Sequence, residues 1–189
     1  MERQKGLMWQ RAPFIGSTDD YESAQTVLFG IPMDFTTSFR PGTRFGPART
    51  REVSEGLETY SPYLDRDLND IKFFDAGDVE VHFGNVTSSL ENGKRMTEEI
   101  LNDGKKPFML GGEHLVSLPV IEAVAAKYPD LVVLHFDAHT DLRDEFWGEK
   151  LSHATVMKRP SITWLSRPDF TNSGSGPVQQ KNLLGQGKI

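Results

Sequence analysis

Short apolar runs and amphipathic stretches alternate along most of the chain. Residues 26–32, Thr-Val-Leu-Phe-Gly-Ile-Pro, form a compact apolar run closed by Gly and Pro, the pattern of a buried strand. Residues 40–47 carry turn chemistry (Arg-Pro-Gly-Thr-Arg-Phe-Gly-Pro) and lead into a helix predicted over 47–56. Residues 71–75 predict a second strand. Ser88 with Glu91 three positions on makes a capping box, and Met96, Ile100 and Leu101 give the helix behind it one apolar face. A third strand is predicted over 107–110, ending in Gly111 and Gly112. Ser117 and Pro119 then open a helix running through Val120, Ile121, Val124 and Ala125 to about Tyr128. Residues 131–136, Leu-Val-Val-Leu-His-Phe, predict a fourth strand. Apolar strands alternating with helices predict an α/β fold with a mostly parallel sheet. No internal repeat is visible.

Open parallel sheets build their sites at the carboxyl ends of the strands. Two of the strands here end in unusual polar clusters. The third runs into Gly111-Gly112-Glu113-His114, and the fourth into Asp137-Ala138-His139-Thr140-Asp141. In the second cluster the donors fall at i, i+2 and i+4, so an extended backbone would send all three from one face. A cation between them would relieve their crowding. Oxygen and nitrogen donors without sulfur suit manganese, magnesium or zinc. His114, on the neighbouring turn, offers a further nitrogen. Taken singly, a His after Gly-Gly is more often a cap or core residue, and Asp-x-His-x-Asp is as readily a solvated turn. Both clusters at successive strand ends favour metal. His135 is expected to pack in the strand, facing away from the cluster, and His82 is given no role.

Composition narrows the chemistry. The 189 residues contain no cysteine, which excludes thiolate metal sites and thiol nucleophiles and fits a reducing cytoplasm. The net charge of −6 argues against a nucleic-acid surface. No apolar run approaches the roughly 18–20 residues of a membrane span, and the N-terminus lacks a signal-peptide core.

The motifs Gly-Gly-Glu-His at 111–114, Asp-Ala-His-Thr-Asp at 137–141 and Ser-His-Ala-Thr at 152–155 resemble the arginase/agmatinase family of ureohydrolases. Gly-Ile-Pro-Met-Asp at 30–34 and the 40–47 stretch resemble its agmatinase branch. The resemblance spans roughly residues 26–158, after an N-terminal extension over 1–25. It implies a three-layer α/β sandwich and a two-manganese site that hydrolyses agmatine to putrescine and urea. It further implies that His114 and Asp141 bind one manganese, His139 the other, and that Asp137 bridges them. His153 matches the family's histidine at the mouth of the site, which would pass a proton to the leaving amine. Family members form homo-oligomers. The chemistry is coherent: a guanidinium carbon is a poor electrophile, and two cations lower the pKa of a water they share. A His titrating near neutrality suits the protonation of an amine.

The family's last two metal ligands lie in an Asp-x-Asp motif on a later strand, and no such motif occurs here. Residues 160–189 hold one acid, Asp169, and three bases, with four Gly, four Ser and three Pro. Codons allowed by residues 169–176 and completed by those of Pro177 and Val178, taken two bases out of step, permit Phe-Tyr-Gln-Phe-Gly-Ile-Arg-Ser-Gly, close to a strand with which family members continue. A reading-frame shift near residues 159–160 is therefore expected, with 160–189 an aberrant, poorly packed tail and the fold truncated after its first metal-ligand strands. The surviving carboxylates would be Asp137, Asp141 and, after remodelling, Glu113. The chain is expected to be nearly inactive, with uncovered apolar surface. The alternatives are a metal-binding or assembly module without catalysis, or a ureohydrolase for guanidinobutyrate or formiminoglutamate.

Overall fold

The computed structural model describes residues 8–9, 12–158 and 163–165. Its strands are β1 (Met8–Trp9), β2 (Thr26–Ile31), β3 (Tyr60–Ser61), β4 (Arg66–Asp67), β5 (Phe73–Val79), β6 (Lys106–Gly111), β7 (Val132–Leu134) and β8 (Thr163–Leu165). Its α-helices are α1 (Gly46–Ser54), α2 (Val86–Asn102) and α3 (Ser117–Lys127). The main sheet has the order β1-β5-β2-β6. β5 and β6 flank β2 in parallel, and β1 closes the outer edge of β5 antiparallel. β3 and β4 pair antiparallel, while β7 and β8 make a separate parallel pair.

Alternation along β2 sorts the helices into layers. Gly30 faces α1: a Cβ there would stand 2.8 Å from Pro47 and 2.0 Å from the Asp78 carboxylate. Ile31, one residue on and so on the opposite face, meets Gly93 of α2, against which Pro119 of α3 also packs. Helix, sheet and helix pair thus make the three layers expected of the α/β sandwich. The core runs through Val27, Phe29, Ile31 and Met33 from the β2 strand and just beyond it. Leu90, Ile100, Leu115 and Val116 complete it from the helical layer.

Local differences from the sequence pattern have simple causes. The cap of α2 is Asn85, whose side chain accepts the Ser88 N–H at 3.0 Å, so Ser88 receives the cap instead of supplying it. β5 starts two residues later than expected and runs on to Val79, its Asp75 and Asp78 held from α1. β7 stops at Leu134 because the chain turns into the polar cluster. Of the tail expected over 160–189, only the β8 backbone falls within the described residues. β6 and β7 do not pair with one another, and Phe108, Val132, Leu134 and Phe136 stand exposed.

A buried guanidinium ties the first layer to the sheet. Arg51, 2% exposed, donates to Asp75 at 2.7 and 2.9 Å, to Asp78 at 2.6 Å and to the Gly77 carbonyl at 3.0 Å. Burial disfavours its charge, but the bonds to Asp75 and Asp78 outweigh this and raise its pKa. Asp75 also accepts the Phe14 N–H at 2.8 Å, anchoring the segment that leads into β2. Removing one partner of such a cluster leaves uncompensated buried charge, so Arg51→Met should cost about 3–5 kcal/mol in urea unfolding. A loss below about 1 kcal/mol would show that the cluster does not hold α1 to the sheet.

Candidate metal centre

The site begins where the end of β6 crosses the end of β2. Gly112 donates to the Ile31 carbonyl at 3.2 Å and Glu113 to the Met33 carbonyl at 2.8 Å. A Cβ on Gly112 would lie 2.1 Å from the Met33 oxygen, so only glycine permits this approach. The crossing delivers His114 into a single turn, His114–Val116, that opens α3.

The 137–141 segment does not stay extended. It bends at residues 138–139, with Asp137 Oδ1 accepting the His139 N–H at 2.9 Å, and Asp141 adopts a left-handed φ of 47°. Convergence arises from this bend and not from strand alternation. His114 Nδ1 lies 2.7 Å from Asp141 Oδ2 and 3.7 Å from Asp137 Oδ2. His139 Nδ1 is 3.6 Å from Asp137 Oδ1, with its ring largely exposed at the rim. Burial works to raise the Asp137 pKa. The His139 N–H and the imidazoles of His114, His135 and His139 outweigh it and hold the carboxyl below its ordinary value.

His135 departs from expectation. Positions 135, 137, 139 and 141 share one parity, so alternation places His135 with Asp137 and not opposite it. Its Nε2 lies 3.5 Å from Asp137 Oδ2, and its ring stacks on His114 with centroids 5.3 Å apart. His114, His135 and Asp137 each offer a donor atom within 4.8 Å of the others. A set of imidazole and carboxylate donors this tight fits a divalent cation of intermediate hardness.

His153 reaches the same cleft through a relay of hydrogen bonds that the sequence did not announce. It donates its backbone N–H to Thr36 Oγ1 at 3.0 Å, and its Nδ1 lies 2.6 Å from the Thr36 carbonyl. A carbonyl only accepts, so Nδ1 carries a proton and Nε2 is the nitrogen left to face the cleft chemistry. Thr36 in turn donates its N–H to Glu113 Oε1 at 2.9 Å and its hydroxyl to Glu113 Oε2. Glu113 is therefore a buried anchor for Thr36 and not a spare metal ligand. The motif contained Glu113, but Thr36 carried no signal of its own.

These groups share an open cleft of about 830 Å³, lined by His114, Asp137, His139, Asp141, His153 and Arg40. Its outer wall is the 34–44 loop, pinned by buried Asp34. Asp34 accepts the Gly42 N–H at 2.7 Å and pairs with Arg44 at 2.6 Å. Burial raises the Asp34 pKa, yet the bonds from Arg44 and Gly42 prevail and lower it.

Residues 24–185 match the family model described as Arginase family. The chain is 58% identical over 146 residues to the agmatinase of Bacillus subtilis (strain 168), covering 77% of this chain and 50% of that protein. The agmatine ureohydrolase of Thermoplasma volcanium superposes with a TM-score of 0.72 at 31% identity, over 79% of this chain and 50% of that one. The Trypanosoma cruzi formiminoglutamase solved with manganese gives 0.67 at 26% identity, over 75% and 48%. The chain spans about half the length of the curated relatives it matches.

A carboxyl whose pKa falls on folding stabilises fully above its unfolded value, about 3.9 for Asp, and loses that contribution as pH drops through the folded value. Asp34→Asn should therefore flatten the fall of urea-unfolding stability below about pH 4, with about one fewer proton taken up on unfolding. An unchanged slope would mean that Asp34 does not anchor the loop at its ionised carboxylate.

Proposed function

Because the chain belongs to the arginase family, we propose that residues 26–158 carry the metal-binding part of an agmatinase-type ureohydrolase, acting on agmatine with manganese in the cytoplasm. The observation that carries this reading is the convergence of His114, Asp137 and Asp141 beside His153 in one cleft. His114 and Asp141, with Asp137 between them and His139, are the residues that would hold the ions. A divalent pair bound there supplies Lewis acidity and lowers the pKa of water. The chain's own contributions are distinct from it. Asp137, Asp141 and the net charge of −6 attract a cationic guanidinium. His153, with Nδ1 fixed on the Thr36 carbonyl, can take up or release a proton at Nε2, the atom suited to protonating a departing amine. A second copy of this chain is the partner that this reading expects.

A reading for a formimino substrate draws support from the likeness to formiminoglutamase, and the assay separates it. Urea release from agmatine with added manganese should be at least about 100-fold slower for this chain alone than for a chimera. In that chimera residues 1–158 are joined to the part of the B. subtilis agmatinase beyond the matched region. His114→Ala should abolish release in the chimera. A folded chimera that ignores agmatine but cleaves guanidinobutyrate or formiminoglutamate would replace the substrate, and equal rates for chain and chimera would refute the low-activity reading.

A further inference from the structure

We propose that two apolar patches at opposite ends of α1 dock on one another between copies of this chain. The first lies on the segment entering the helix, where Phe39 and Phe45 are 82% and 64% exposed. The second lies beyond its far end, on Leu57 and the β3–β4 hairpin, where Tyr63 and Leu64 are 97% and 72% exposed. Among the described residues β3 and β4 pair only with one another. The tip between them is shaped: Leu64 donates its N–H to the Ser61 carbonyl at 3.3 Å, and Asp65 Oδ1 accepts the Tyr60 hydroxyl at 2.9 Å. A tip that holds tyrosine and leucine bare adds little to its own fold, and such side chains are what interfaces bury. Charge names the occupant. Residues 38–50 carry Arg40, Arg44 and Arg49 with no acid, whereas residues 55–71 carry five acids and one base, Arg66. Opposite charge around two apolar patches makes each the complement of the other. Within one molecule α1 separates them by about 13 Å, and among the described residues no ion pair joins the two stretches. The arrangement is unfavourable for the helix itself. Arginines gather at its positive end and Glu55 and Glu58 follow its negative end, the reverse of what its dipole favours. Each copy carries both patches, so the contacts can close into a symmetric assembly. Phe39 and Arg40 also line the cleft, so a docked hairpin sits at its mouth. This surface gives the second copy of the proposed ureohydrolase a place to bind, resting on that reading only for the kind of partner, and it stands with or without metal.

The test is sedimentation velocity of the full chain over a range of concentrations, which reads association and not urea release. The wild-type chain should associate, less tightly as salt is raised. Arg40→Glu with Arg49→Glu in one chain, and Glu55→Lys with Glu58→Lys in another, should each weaken association about 10-fold or more. An equimolar mixture of the two should restore it, because each reversed patch then meets its opposite. Tyr63→Ser, at a nearly bare position where folding has little to lose, should weaken association as well. Hydrogen exchange of the wild-type chain reads the surface without substitution: amides of 39–45 and 57–65 should gain protection as the chain associates. A wild-type chain that stays monomeric would overturn the proposal. So would association that survives both reversals and Tyr63→Ser, or protection confined to the β6 and β7 edges, since either result puts the contact on another face. Loss of urea release by the chimera with association intact would instead count against the function and leave this surface standing.

Discussion

The close passage of Gly112 over Met33 is the constraint on which the site depends. Backbone meets backbone there with no room for a side chain, so the end of β6 is locked to the end of β2. Two consequences follow from that one contact. His114 is carried to the cleft on a turn rigidly continuous with α3, and Glu113 is turned inward to hold Thr36. Thr36 then fixes both the position and the protonated nitrogen of His153. A candidate metal donor and a candidate proton carrier are thus set by adjacent residues of one crossing.

The opposite half of the cleft is organised by charge. Asp137, Asp141, His114, His135 and His139 crowd within a few ångströms, and the His139 N–H together with the imidazoles draws the Asp137 carboxyl toward its ionised form. Such a cluster is costly unless its charges are compensated. The separate cluster of Asp75 and Asp78 is compensated from within the chain, two buried carboxylates meeting the one guanidinium of Arg51. The difference between these two clusters is the difference between structure and function. One is closed by the chain's own cation and buried; the other opens onto a cleft and offers its donors outward.

Much of this was legible in the sequence. The apolar runs at β2 and β6, the helix after the 40–47 turn and the polar residues at the ends of β6 and β7 follow from period and punctuation. The dense Gly-Gly-Glu-His and Asp-Ala-His-Thr-Asp motifs pointed to one centre. What remained hidden depends on contacts distant in sequence. Thr36 and His153 are 117 residues apart and neither position alone signals the other. Asp75 ends the strand predicted over 71–75 and Asp78 lies beyond it, and neither position signals its pairing with Arg51. The expectation that His135 faces away from the cluster fails on parity alone, because 135 and 137 differ by two and an extended chain puts them on one face.

On this reading these residues make one divalent-cation centre. It is tested most directly by anomalous diffraction from crystals of the full chain soaked in manganese. The expected result is a manganese peak within coordination reach of His114, Asp137 and Asp141, in the cleft that His153 also lines. A saturated crystal with ordered side chains at these positions and no anomalous density among them would contradict it.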